Sequence, residues 1–349
     1  MNIRTEGRTR VAPSHPFAPT SLRGLLAGLA ILALTSAPTP LLADHPTVTV
    51  GSLDSGPITF FGSSPLPAGR SSISLRFEHI DLDRYSDETL EAFGAVDNHA
   101  HSIDSTRITH LSFSHGISSD LTIGLHLPYI ERDNVRAGED NGGMVEVEND
   151  GSPSGVGDLR LFGMYRLMRD SSRSAEVSVI GGVKFPTGET EEESPGGELI
   201  GLEHQPGTGS VDFTVGAAAS KRLREITLHA SALGTLTTEG DRDTELGNRF
   251  DWGLGASMPV VRNSLRGGPQ VTVDVTLELT GEVEGKVEEA GSKDRNSGGN
   301  RIFLSPGFRV TAGERFSFFG AVGFPVVDDP NGDDHETDLR VLVGVSATF

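Results

Sequence analysis

The sequence predicts an all-β chain closed into a transmembrane antiparallel up-and-down β-barrel of about twelve strands. Three observations carry that expectation. From residue 71 onward, segments alternate apolar with small or polar residues. The connections between them alternate between short and long. No stretch after residue 43 is apolar enough, over the ~20 residues a spanning helix needs, to cross a bilayer. Residence in a membrane must then come from strands, which satisfy their backbone groups only by closing on themselves.

The N-terminus reads as an export signal. Arg4, Arg8, Arg10 and Arg23 form a basic leader, Leu25 to Leu34 an uncharged apolar run, and Ala37 and Ala43 are small residues suited to cleavage. The expected organisation is a signal peptide over 1–43, a periplasmic N-terminal segment over 44–70 and the barrel over 71–349.

Strands are expected near 71–85, 105–117, 120–135, 155–169, 175–188, 207–223, 225–240, 248–261, 269–286, 299–314, 315–329 and 338–349. The last is the cleanest. Leu339, Val341, Val343, Val345, Ala347 and Phe349 fall on one face, and Arg340, Gly344, Ser346 and Thr348 on the other, because side chains alternate with period two. A soluble sandwich would show the same alternation. The connections discriminate: short turns at 118–120, 170–174, around 224 and at 312–314 alternate with long loops at 86–104, 136–154, 189–206 and 287–298. A membrane barrel places its turns at one end and its loops at the other. The connections at 262–268, long for a turn, and 241–247, short for a loop, fit least well. The closing Phe349 resembles the terminal aromatic read by the barrel-assembly machinery, and is assigned as an assembly signal. Tyr129, Tyr165, Phe250, Trp252 and Phe349 are the candidates for interfacial aromatic girdles.

Composition narrows the function. Cysteine is absent, which removes disulfides, thiol nucleophiles, thiolate metal sites and an N-terminal lipid anchor. A formal charge of −20 argues against nucleic acid, whose phosphates need clustered Lys and Arg. The face assigned to the interior carries Arg76, Arg160, Arg166, Lys184, Arg309 and Arg340 beside Glu78, Asp158, Asp212, Asp251, Asp274 and Glu278, with His126 and His229. Charges are costly against lipid, roughly 2–4 kcal/mol for Arg or Lys at mid-bilayer, so they are expected to line the lumen. There they either plug a narrow interior or form a filter for solutes.

Specific chemistry is sparse. Asp97, His99, His101 and Asp104 are the most metal-like cluster, but their place in an expected loop favours ordinary polar surface. Asp328, Asp329, Asp333, Asp334, Glu336 and Asp338 do not follow the spacing of a calcium loop. Histidines at 79, 110, 115, 126 and 229 lie on strands near abundant Ser, which keeps a hydrolase in view. No nucleophile elbow, phosphate loop or dinucleotide fingerprint is present. No catalytic residue, metal ligand or cofactor is assigned.

Several stretches resemble the family of outer-membrane "transporter" proteins named for the meta-cleavage pathway of phenol degradation. They are Leu127-Pro128-Tyr129, Gly155-Val156-Gly157-Asp158-Leu159, Lys184-Phe185-Pro186-Thr187-Gly188-Glu189, Gln205-Pro206-Gly207-Thr208-Gly209-Ser210 and Leu304-Ser305-Pro306-Gly307-Phe308-Arg309. The resemblance implies an outer-membrane barrel and uptake of small organic compounds; it brings no site residues. The expected function is therefore a channel or facilitator in the bacterial outer membrane for passive uptake of a small solute, aromatic or hydrophobic by family association. A structural or surface-interaction barrel with a closed lumen and an outer-membrane hydrolase are the alternatives. Expected partners are the solute, the assembly machinery, and outer-membrane lipid with lipopolysaccharide. Acidic residues in the long connections (Glu139, Asp140, Glu146, Glu148; Glu191, Glu192, Glu193; Asp333, Asp334) are expected to gather at one mouth and attract cations.

Overall fold

The computed structural model describes residues 56–95, 101–140, 145–264, 269–294, 297–331 and 336–349. The expected signal peptide and residues 44–55 lie outside them. Twelve strands form the wall: β1 (Ser71–Leu82), β2 (Ser105–Gly116), β3 (Leu121–Asp133), β4 (Leu159–Arg169), β5 (Ala175–Phe185), β6 (Asp212–Leu223), β7 (Ile226–Leu236), β8 (Arg249–Ser264), β9 (Gln270–Glu284), β10 (Gly299–Ala312), β11 (Phe316–Pro330) and β12 (Thr337–Thr348). Each pairs antiparallel with its neighbours in sequence, and β12 pairs with β1, so the sheet closes. At that seam Phe349 and Ser71 exchange backbone hydrogen bonds, each 2.9 Å.

All twelve expected strands are present, and connections 117–120, 170–174, 224–225 and 313–315 lie at one end, where β8 also ends and β9 begins. The connection that looked too long for a turn shortens because β8 runs on to Ser264 through a register shift between Pro259 and Val261. Residues 155–158, expected within a strand, are instead split off: Ser154–Val156 pairs with β3 alone, and β4 begins only at Leu159. Likewise β6 begins at Asp212 rather than 207. In the tight turn 170–174 the Asp170 carboxylate accepts the hydroxyl of Ser174 at 2.7 Å and backbone N–H groups of Ser174 and Ala175. Those bonds, the Ser174 hydroxyl foremost, favour the ionised form and hold its pKa below the ordinary carboxylate range.

Alternation sorts the side chains as the register requires. Leu75, Phe77, Leu254, Leu277, Val343 and Val345 are all 39–52 % exposed although apolar. An apolar surface running round a closed barrel is suited to lipid rather than water. Arg340, Leu342, Ser346 and Thr348 are buried on the opposite face of β12. At the loop end, α1 (Asp87–Gly94), capped by Ser86, presses its fully buried Leu90 inward. Beside it His101–Ser102, Val135–Asp140 and Val145–Gly151 make a small sheet, with Leu82, Ile103 and Val135 packed together where the loops leave the wall.

Candidate functional site

The interior of the barrel holds the polar chemistry, and it is filled. One network crosses from β12 to β3. Arg340 Nε binds Glu78 Oε1, and Arg340 Nη1 reaches Glu282 Oε1 at 3.0 Å. Glu78 Oε2 lies 2.9 Å from His110 Nε2, and His110 Nδ1 lies 3.0 Å from His126 Nε2. A neutral His110 that donates to Glu78 accepts at Nδ1 from His126, so one proton arrangement satisfies both bonds. Glu78, His110 and His126 are at most 1 % exposed, where an unpaired charge would be prohibitive. The guanidinium of Arg340 also lies over the ring of Phe303, 5.4 Å from its centroid.

A second network sits nearer the loop end. Lys184 Nζ is 2.5 Å from Asp212 Oδ2 and 3.4 Å from Asp158 Oδ2. Asp158 also accepts the backbone N–H groups of Thr187, Gly188 and Thr208 and the Thr208 hydroxyl, at 2.7–3.1 Å. Gly157 donates to the Pro128 carbonyl at 2.9 Å. Gly188 and Gly207 touch backbone to backbone: a Cβ on Gly188 would come within 2.6 Å of the Gly207 Cα. Four of the five stretches that carry the family resemblance thus converge on one node, binding loops 134–158 and 186–211 to the barrel rim.

Residues 56–70, just before β1, occupy the lumen. They cross it from the wall at β9 and β10 to the wall at β3. Arg309 Nη2 is 3.3 Å from the Pro57 carbonyl. Glu278 Oε1 accepts the Ile58 N–H at 2.7 Å; Oε2 accepts the Thr59 N–H at 2.8 Å and its hydroxyl at 2.5 Å. Phe60 seats against Gly253, where a Cβ would meet its ring at 2.4 Å. Phe61 packs on Phe162 with centroids 5.4 Å apart, in a cluster with Met164, Ile180, Ala218 and Leu233. Ile58 joins Phe319, Ala321 and Leu342. Further along, the Ser178 hydroxyl donates to the Ser63 carbonyl at 2.5 Å, and the Leu66 N–H donates to Thr122 Oγ1 at 2.7 Å. A burial of this kind contributes about 1.5–3 kcal/mol for each large apolar side chain.

Among the residues expected to line a channel, Asp158 lies in the rim connection before β4. Arg76, Glu78, His126, Arg166, Lys184, Asp212, His229, Glu278, Arg309 and Arg340 are buried, and Arg160, Asp251 and Asp274 are partly buried. The structure groups them into ion pairs, such as Arg166 with Glu176 at 3.1 Å and Arg249 with Asp251 at 2.9 Å. Sequence reasoning did not single out Ile58, Thr59, Phe60, Phe61 and Leu66, or the apolar patches they meet inside. A signal was available: from Leu161 to Tyr165 both faces of the strand carry large apolar side chains, Leu161 and Tyr165 on one and Phe162 and Met164 on the other, which a water-filled lumen does not explain. His110 could also have been placed inward, since it shares the even phase of Thr106 and Ile108. Of the metal-like cluster, Asp97 and His99 lie outside the described residues; Asp104 accepts from Asn134 and lies near Arg84, while His101 faces another loop. In the acidic run, Asp328 pairs with Arg301 at 3.3 Å, and Asp333 and Asp334 lie outside the described residues. Two Ser–His contacts occur on strands, His115 with Ser71 at 2.8 Å and His229 with Ser257 at 2.9 Å.

Comparison with solved structures finds an outer-membrane channel from Pseudomonas putida F1, 16 % identical, covering 82 % of this chain and 98 % of that one with a TM-score of 0.52. That similarity shows a shared barrel fold. The NanC porin (9 % identity, 79 % and 98 % coverage, TM-score 0.43) and the β-domain of the Bordetella autotransporter BrkA (12 %, 81 % and 100 %, 0.43) are more distant. No curated protein matches. A family model described as "Putative MetA-pathway of phenol degradation" matches residues 102–331, most of the barrel, and the chain belongs to that family.

Proposed function

We propose that this protein is a bacterial outer-membrane channel for passive passage of a small solute, held closed here by its own residues 56–70. The observation that supports it most is the manner of closure. Beside the networks of wall side chains, residues 56–70, just before β1, lie across the lumen and are held there by hydrogen bonds and apolar contacts. Withdrawing them would leave a twelve-stranded wall with charges of both signs on its inner face, wide enough for a restricted pore. The apolar patch around Phe162 would then offer an aromatic or hydrophobic solute a place to rest, in keeping with the family's name. On this reading the turns and Phe349 face the periplasm, with Phe349 read by the assembly machinery, and the long loops face the lipopolysaccharide.

The dense pairing of Glu78, His110, His126 and Arg340 favours a second reading, a structural barrel whose lumen never opens. Planar-bilayer conductance of the full chain and of a variant lacking residues 57–69 separates the two. A channel gives low or intermittent conductance in the full chain and a larger, steady one in the variant. Silence from both, with the barrel folded, would favour the closed structural reading.

A further inference from the structure

We infer that His101, Glu203 and His204 form a binding site for a divalent transition-metal ion that ties the loop 83–104 to the loop 186–211 at the barrel mouth. The two loops are far apart in sequence, and each presents its ligands from local structure. His101 opens a two-residue strand held by Arg136 and Ala137 in the small loop sheet. Glu203 and His204 lie in the short 3-10 turn Leu202–His204, anchored by the buried Leu202. That turn is fixed from both sides. Arg132 Nη1 donates to the His204 carbonyl at 3.0 Å, and the Gln205 amide bonds the backbone of Glu192 and Ile200 at 2.9–3.0 Å.

The ligand atoms of the three residues all lie within 4.8 Å of one another. Glu203 Oε1 is 3.8 Å from His101 Nε2 and 3.7 Å from His204 Nε2. Both separations exceed a hydrogen bond. Metal–ligand bonds of ~2.0–2.2 Å at tetrahedral angles place donor atoms about 3.3–3.6 Å apart, so the two Glu203–His separations need to contract by only a few tenths of an ångström, and rotation of the imidazoles would bring the third pair in round an ion. The two imidazoles stand nearly edge to face, 4.5 Å between centroids at 74°, as two ligands aimed at a shared point can. The second carboxylate oxygen, Glu203 Oε2, is buried with no hydrogen bond among the described residues, which leaves it available as a further donor. Two imidazoles and one carboxylate suit zinc, nickel or copper, and disfavour calcium and magnesium, which seek oxygen. The ion would complete what the Asp158 node begins, since both fasten the 186–211 loop over the mouth.

The experiment uses the full-length barrel in detergent, stripped with chelator and titrated with Zn²⁺ by calorimetry, with Co²⁺ absorption as a spectroscopic readout of imidazole coordination. The wild type should take up one equivalent. His101→Gln and His204→Gln should each weaken binding by roughly tenfold or more, since disturbing even the supporting partners of metal ligands typically costs about 10–100-fold. Heat-modifiability on a gel confirms that each variant is a folded barrel. The wild-type stoichiometry is decisive by itself. Uptake well below one equivalent, or uptake that survives both substitutions in folded protein, would overturn the site.

Discussion

Thr59 gives both its backbone N–H and its hydroxyl to a single oxygen of Glu278, 219 residues away on the wall of β9, at 2.8 and 2.5 Å. With Ile58 on the other oxygen, one carboxylate accepts three hydrogen bonds from the inner segment. Glu278 is itself only 1 % exposed, so these donors provide the solvation that water would otherwise supply. The same contact that holds the segment in the lumen therefore also makes the wall's charge tolerable.

Glu278→Ala should loosen this closure without abolishing it. Hydrogen bonds to a charged acceptor contribute about 1.5–3 kcal/mol each, comparable to burying one or two large apolar side chains. Ile58, Phe60, Phe61 and Leu66 remain buried in the variant, so the segment stays mostly seated but opens more often. More frequent conductance steps than wild type, and faster protease cleavage within residues 56–70, are the expected outcomes. A variant indistinguishable from wild type in both would mean that the apolar contacts alone hold the segment.

The register of β12 supplies a second test. Val343 faces outward at mid-strand, so Val343→Arg should destabilise by roughly 2–4 kcal/mol at mid-bilayer. Facing alone would make Arg340→Val mild, because Arg340 points inward. The ion pairs reverse that expectation: removing Arg340 takes from the fully buried Glu78 the guanidinium that binds its Oε1, and from Glu282 the same partner. Breaking a buried ion pair by removing one partner costs roughly 3–5 kcal/mol, and that is the loss expected here. Unfolding of both variants in denaturant from lipid vesicles measures the two costs, and a mild Arg340→Val would show that Glu78 is neutralised by other means.

Much of this architecture is legible in the sequence because a strand's facing follows from a period of two. Once Val343 and Leu277 are placed outward, the inward position of Arg340 and Glu278 is determined. Partners are another matter. Glu278 meets Thr59, and Lys184 meets Asp212, through barrel closure and through a segment whose Pro- and Ser-rich run, Gly56 to Arg70, shows no periodicity. The segment 44–70 was expected as a periplasmic stretch, and its described part lies against the inner wall. His101 likewise stood near other polar residues in sequence, while its spatial neighbours came from a loop a hundred residues later.

Asp158 should matter to the rim rather than to the wall. Asp158→Ala leaves Lys184 its partner Asp212, so the cost falls on the orphaned N–H groups of Thr187, Gly188 and Thr208. Buried unsatisfied groups cost about 1–3 kcal/mol each, and those near the mouth can recover water, so a total of about 2–4 kcal/mol is expected. The signature is selective: the 186–211 loop should become protease-sensitive while the barrel keeps its heat-modifiability. Global loss of the folded barrel would assign Asp158 to the wall instead.

The last test concerns the loops' charge. Glu191 and Glu193 are exposed, and Glu192 is partly so, on a loop that the Asp158 node holds at the mouth. Fixed acidic groups at an entrance create a negative potential that raises the local concentration of cations and lowers that of anions. Its reach is about 10 Å at 0.1 M salt and about 30 Å at 0.01 M. The inner wall adds little net bias, because its charges sit in pairs such as Arg340 with Glu78 and Lys184 with Asp212. Any conductance, in the variant lacking residues 57–69 above all, should therefore be cation-selective, and more so at low salt. Replacing Glu191, Glu192 and Glu193 together with Gln should shift the reversal potential across a salt gradient toward zero. If the Glu residues act only as solvated surface, the shift will be absent. Anion selectivity in the parent would place the selecting charge on the inner wall, with the Arg residues rather than the loops in control.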